Sequence, residues 1–214
     1  MIETIAGILI WAVPVVLAIT LHEAAHGYVA RHFGDATAER AGRITLNPLR
    51  HIDPVGTIAV PLGIYLLSSA AGSGMLFGWA KPVPVNFARL RHPKADMLWV
   101  AAAGPLANLA MALAWTLVFA VAAGGMSRPL AMMAIAGMQI NGVLMLLNLL
   151  PIPPLDGGRI MVSLLPDRLA WKYARIEPYG VIIVLALLFS HALDAILGPL
   201  LRAFVQTLMM LAGR

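Results

Sequence analysis

Five long apolar stretches decide what this chain can fold into: roughly 4–30, 54–77, 97–123, 129–150 and 180–198, followed by an apolar tail at 199–212. A helix needs about 20 residues to cross the hydrocarbon of a bilayer, so most of these stretches are long enough to span it. Composition agrees: 60% of the 214 residues are hydrophobic and 12% are charged, against roughly 45–50% and 25% in soluble domains. The expected fold is an all-α polytopic membrane protein with about five to six transmembrane helices, and the lipid bilayer is its first partner. There is no cysteine, which removes disulfides, thiolate metal sites and thiol chemistry. The net charge of +5 is spread over segments between the apolar runs and makes no single basic face. It therefore reads as membrane topology, with nucleic acid not expected as a partner. The first run carries Glu3 where a signal peptide has basic residues, and it continues into His22-Glu23 without a small-residue cleavage site. It reads as a retained helix.

Basic residues orient the chain. Segment 31–53 holds Arg31, Arg40, Arg43 and Arg50; segment 81–94 holds Lys81, Arg89, Arg91 and Lys94; segment 159–175 holds Arg159, Arg168, Lys172 and Arg175. The turn at 124–128 has only Arg128. The three basic segments are expected on the cytoplasmic side, with the N-terminus and the 124–128 turn outside. Two of them flank 54–80, so that stretch must enter the membrane and return. Residues 54–71 look helical, whereas Gly72–Val85 is rich in Gly and Pro and is expected to be extended. Extended backbone at membrane depth must be buried in protein or line a wet cavity, so this leg is expected beside a cavity. The alternative is a plain span at 54–77 with one exception to the charge rule. The tail, opening on Gly198-Pro199 with Arg202 close behind, reads either as a short interfacial helix or as half of a kinked hairpin.

His22-Glu23-Ala24-Ala25-His26 is the strongest local signal. Residues four apart share a helix face, so both imidazoles reach one ion. Glu23 is placed to activate a water without being a ligand. Chance matches to so short a pattern occur, but His22 lies nine residues before Arg31, hence about 13 Å below the charged end of the helix. Ionisable groups at that depth are costly and functional by default. A catalytic zinc needs a third protein ligand and an open position. His32, His51 and His92 lie in basic loops and are expected to face solvent or headgroups, and His191 is spaced to pair with Asp194. Asp156 is the better candidate. It follows Asn148-Leu149-Leu150-Pro151-Ile152-Pro153-Pro154-Leu155, whose prolines end the preceding helix, and precedes Gly157-Gly158. A solvated Asp in a plain helix-ending turn fits the local sequence as well. Topology favours the inward Asp. Helices 4–30 and 129–150 both run outside to inside, so the histidines and Asp156 arrive at one depth. A simple span at 54–77 would put them about 30 Å apart.

The chain resembles the site-2 protease family of intramembrane zinc metalloproteases, in its compact prokaryotic form without a PDZ or CBS module. The resemblance rests on His22–His26, on Ala103-Gly104-Pro105-Leu106-Ala107-Asn108 and on the Asn148–Arg159 stretch, in that order along the chain. Gly42–Pro48 and Gly78–Asn86 look like compact members as well. It implies one Zn²⁺ per chain on His22, His26 and Asp156, Glu23 as catalytic base, and Asn148 beside the substrate. It also implies an extended membrane-inserted loop near the site, to which Gly72–Val85 corresponds. The expected activity is endopeptidase cleavage of transmembrane segments of membrane proteins, in a multi-pass cell-membrane protein with its site toward the cytoplasm. Residues 1–214 read as one protease domain, with a core at about 4–165 and C-terminal helices at about 166–214. Oligomeric state is open. Rival readings are a zinc carrier, which needs a path of polar intramembrane residues, and a non-cutting protein that binds membrane proteins, which needs no Glu23. A soluble zincin-like protease fails on hydropathy. Gly104-Pro105 is expected to let its helix pack closely or bend.

Overall fold

A computed structural model describes residues 2–60, 62–64, 66, 78 and 80–213. The described residues are helical, with no strand among them. Long helices form where the apolar runs lie: α1 (Ile2–His32), α3 (Pro93–Val121), α4 (Arg128–Asn148) and α8 (Ala192–Leu211). Each contains a stretch long and apolar enough to cross a membrane. The protein is a multi-pass membrane protein. Shorter helices join them: α2 (Thr37–Arg40), α5 (Asp156–Leu164), α6 (Asp167–Ala174) and α7 (Gly180–Phe189).

Small residues bring the long helices together. Ala18, Ala24 and Ala30 of α1 are buried, as are Ala101, Ala103 and Ala112 of α3 and Ala134 and Ala136 of α4. Without large side chains between them the backbones approach closely, which is how membrane helices gain packing where lipid offers no hydrophobic drive. Away from the charged loops, Phe119, Met138 and Leu208 close a core between α3, α4 and α8, with Trp115 and Phe204 against it. A Cβ on Gly142 of α4 would stand 2.8 Å from Leu201 and 2.9 Å from Phe204 of α8. Position 142 thus meets 201 and 204 while 138 and 134 meet 208, so α8 runs antiparallel to α4.

The C-terminal third departs from the expected boundaries. The apolar run at 180–198 is broken at His191, whose φ is 59°, and α8 then runs unbroken from 192 through Pro199 to 211. A proline inside a helix removes one backbone hydrogen bond, and membrane helices tolerate that loss. The tail is therefore neither a separate interfacial helix nor half of a kinked hairpin.

Among the described residues between α1 and α3, short helical turns alternate with irregular stretches tied down by polar contacts. Pro54–Ala59 forms a wide helical turn capped by Asp53, which accepts from the N–H of Val55 at 2.8 Å and of Gly56 at 2.9 Å. Residues 60, 62–64 and 66 are helical, as expected for the inward leg. Of the expected extended leg, 72–77 and 79 lie outside the described residues, while 78 and 80–86 have no regular structure. Arg43 donates to the carbonyl of Lys81 at 2.8 Å, and the Lys81 N–H donates to His51 O at 2.9 Å. Asp35 accepts from the N–H of Asn86 at 2.6 Å and from the N–H and hydroxyl of Thr37. Burial alone would push the Asp35 carboxyl up, but those hydrogen bonds outweigh it and hold it below the usual carboxylate range. His51 corrects an expectation: it is 2% exposed and bonds the Thr45 carbonyl at 3.0 Å, because the loop folds over it to anchor Lys81.

Candidate metal centre

Helical periodicity places His22 and His26 one turn apart on α1, with ring centroids 4.7 Å apart. Each ring is oriented by its Nδ1. His26 Nδ1 lies 2.7 Å from the Val100 carbonyl of α3, which can only accept, so this nitrogen carries the proton. His22 Nδ1 lies 2.6 Å from Asn108 Oδ1. Asn108 in turn donates to Asn141 Oδ1 at 2.9 Å, and Asn141 donates to the Gly137 carbonyl at 2.8 Å. That terminal carbonyl sets the direction of the whole relay, so His22 also carries its proton on Nδ1. Both imidazoles therefore turn an unprotonated Nε2 toward the same point.

Asp156 completes the group. Gly157 and Gly158 let the start of α5 press against the preceding loop, where a Cβ would stand 2.3 Å from Leu149 O and 2.4 Å from Pro153 N. This tuck carries the Asp156 carboxylate to the histidines. Its Oδ2 lies 3.3 Å from His22 Nε2 and 3.4 Å from His26 Nε2, and the two Nε2 atoms are 3.1 Å apart. Ligands about 2.0–2.1 Å from a tetrahedral ion stand about 3.3–3.4 Å from one another. The two separations to Asp156 match that figure, and the 3.1 Å between the nitrogens is slightly shorter.

Two further observations fit an ion. Asp156 Oδ2 is buried without a hydrogen-bond partner among the described residues. Gly104 of α3 faces the cluster, and a Cβ there would lie 2.4 Å from His26 Nε2 and 2.6 Å from His22 Nε2. The missing side chain leaves open the place an ion shared by both nitrogens would take. The site suits a metal of the zinc class by donor set, spacing and space.

Glu23, on the same turn of α1, accepts from the Val83 N–H at 2.7 Å. The irregular segment at 80–86 therefore lies beside the site, as expected of the extended leg. Three of its N–H groups are already used: Lys81 donates to His51, Val83 to Glu23 and Asn86 to Asp35, and Pro82 and Pro84 have none. Asn148 sits at the end of α4 and donates to its own helix at Leu144 O, 3.0 Å away.

The sequence reading singled out His22, Glu23, His26 and Asp156 and missed what holds them. Asn108 and Asn141 are both fully buried. A lone amide inside an apolar span needs a partner, and that signal marks both positions. Gly104 was read as a packing residue; the structure puts it against the ligand nitrogens themselves.

The profile of peptidase family M50 matches residues 119–191, a range that includes Asn148 and Asp156. The chain is 39% identical over 198 residues to a Bacillus subtilis protein named "Putative zinc metalloprotease YwhC", an overlap of 89% of this chain and 85% of that one. The chain belongs to peptidase family M50, the site-2 proteases, which are intramembrane zinc metalloproteases. Two further relatives share less identity with it. "Putative zinc metalloprotease Rip2" of Mycolicibacterium smegmatis is 31% identical over 186 residues, covering 83% of this chain and 66% of its own length. The Mycobacterium tuberculosis protein of the same name is 30% identical over 182 residues, again 83% of this chain and 66% of its own. No solved structure gives a significant match. Membership makes the chain a metalloendopeptidase of the membrane acting on protein substrate, and zinc its metal.

Proposed function

We propose that this chain cuts transmembrane segments of membrane proteins, using one zinc held by His22, His26 and Asp156 and Glu23 as general base. The observation that carries the reading is the set of three ligand-atom separations of 3.1–3.4 Å facing the gap left by Gly104. Bound there, zinc supplies polarisation of the scissile carbonyl and lowers the pKa of a water toward about 7.

The chain's own residues do the rest. Glu23 takes a proton from the attacking water and returns it to the leaving amine. The Val83 N–H engages one carboxylate oxygen of Glu23, which holds the group at a set height and leaves the other oxygen for that proton. The Nδ1 partners of the two histidines keep both Nε2 atoms turned inward. A substrate helix hides its peptide bonds and must open before it is cut. The opened strand would lie along the irregular segment and pair with its carbonyls, since the N–H groups of Lys81, Val83 and Asn86 are already taken. Asn148, at the adjoining end of α4, is proposed to meet the substrate after its side chain leaves Leu144. The basic loops support a site toward the cytoplasmic side of the cell membrane, and residues 1–214 are proposed to work as one protease unit.

A direct test is metal content together with cleavage of a synthetic transmembrane peptide in detergent or vesicles. The purified protein should hold one zinc and cut; a strong chelator should stop cleavage and added zinc restore it. Asp156→Ala should lose both metal and activity. Wild-type protein that holds zinc yet cuts no membrane peptide would overturn the substrate assignment. Wild-type protein without zinc would overturn the metal.

The histidine orientation carries its own prediction. Asn108→Leu removes the acceptor for His22 Nδ1 and is expected to weaken zinc binding about 10–100-fold. Asn108→Asp keeps an acceptor and should restore most of it. Competition with a chromogenic chelator measures both, and equal affinity in Asn108→Leu would show that the relay does not orient the ligand.

A further inference from the structure

The structure assigns a second membrane-level surface: we propose that the α8 face carrying Arg202 docks a transmembrane helix of another protein with a carboxylate near the middle of its span. This rests on the multi-pass fold and not on the peptidase reading.

Arg202 lies ten residues from Ala192 and nine from Leu211 in α8, about 14–15 Å from either end. Half the thickness of a bilayer core is about 15 Å, so the guanidinium starts from the middle. The antiparallel pairing of α8 with α4 agrees, since Gly142 meets Leu201 and Phe204. The neighbouring Asn141 reaches Asn108, the partner of His22. Arg202 therefore stands at about the depth of the metal centre but on the far side of α4.

Arg202 presents five guanidinium N–H donors and no acceptor. It is exposed, and no ion pair joins it to a described residue. Its Nη1 folds back over Gly198, 3.4 Å from where a Cβ would be. Around it Gln139 of α4 and Gln206, with Leu201 and Val205, line a groove of about 210 Å³. A charge and two amides gathered at mid-membrane are costly unless something answers them.

A phospholipid phosphate is too far: an arginine snorkels from near a helix end, not from its centre. A second copy docked symmetrically would bring Arg202 against Arg202. The chain's own acids are elsewhere, with Asp194 of the same helix bonded to His191 at 3.2 Å. What fits is a carboxylate at mid-span on a foreign helix, with the amides hydrogen-bonding its second oxygen. Because α4 separates this groove from the metal, the bound helix is held without being cut.

The test uses the full chain in vesicles. There is no cysteine, so Thr207→Cys gives a unique label beside the groove. Energy transfer then reports association with labelled Leu/Ala host helices bearing one central Glu, Gln or Lys. The Glu helix is expected to associate at least 10-fold more tightly than the Gln helix. Arg202→Gln should erase that difference while one zinc per chain and peptide cleavage persist, which shows that the fold is intact. Arg202→Glu should turn the preference toward the Lys helix. Equal association of the Glu and Gln helices, or a preference that survives Arg202→Gln, would overturn the proposal. So would self-association of the chain that is abolished by Arg202→Gln, which would assign the face to a second copy.

Discussion

Glu23→Gln is expected to keep one zinc per chain and lower cleavage of a membrane peptide by about 10²–10⁴-fold, the usual worth of a positioned general base. The substitution is nearly isosteric. The amide oxygen still accepts from the Val83 N–H, now made at 2.7 Å to Glu23 Oε2, so side chain and loop stay in place. What disappears is the ability to take a proton from water and hand it to the leaving nitrogen. The metal should be untouched, because its proposed ligand atoms belong to His22, His26 and Asp156. Metal analysis and single-turnover cleavage on the same sample separate the two effects. Cleavage at the wild-type rate would remove Glu23 from the mechanism, and loss of zinc would mean it supports the ligands.

The second large effect comes from a residue with no chemistry of its own. Gly104→Ala adds one methyl, and its Cβ would fall 2.4 Å from His26 Nε2, 2.5 Å from His22 Cε1 and 2.6 Å from His22 Nε2. Contacts this short do not persist, so either the rings or α3 must move. The rings have little freedom, since His22 is bonded to Asn108 at 2.6 Å and His26 to Val100 at 2.7 Å. Moving them breaks those bonds; leaving them puts a methyl where the ion belongs. The expected result is zinc binding weakened by at least about 100-fold, at the upper end of what loss of ligand support costs, with cleavage lost in parallel. Circular dichroism should show unchanged helix content, since alanine is the better helix former. A Gly104→Ala protein that binds zinc as tightly as wild type would show that α3 does not bound the metal site.

The two experiments also mark how far the sequence can be read. His22, Glu23 and His26 are legible because a helix turns every 3.6 residues, a local rule needing no partner. The spans are legible for a similar reason: length and apolarity measure a segment against the bilayer. Asp156 was reachable only through a longer argument, in which basic loops, a returning segment and helix direction all had to agree. Where a local rule competed with context it failed. Gly198-Pro199 reads as a break, yet α8 passes through it, because the turn was made earlier at His191 by a left-handed backbone. His51 reads as a loop histidine facing water and is instead buried against the Thr45 carbonyl.

By itself, then, the sequence determined a helical membrane protein, two histidines on one helix face, a glutamate beside them and a carboxylate able to join them. The tertiary structure alone decided which nitrogen of each histidine faces the ion, through Val100 and the relay from Asn108 and Asn141 to Gly137. It also decided that Val83 anchors Glu23, that Gly104 makes the room, and that Arg202 makes no ion pair with a described residue. The division has a physical cause. Periodicity and hydropathy act between neighbours in sequence, whereas the hydrogen bonds of His22 with Asn108, His26 with Val100, Glu23 with Val83 and Asn108 with Asn141 join residues 33 to 86 positions apart, and they exist only once the helices have packed.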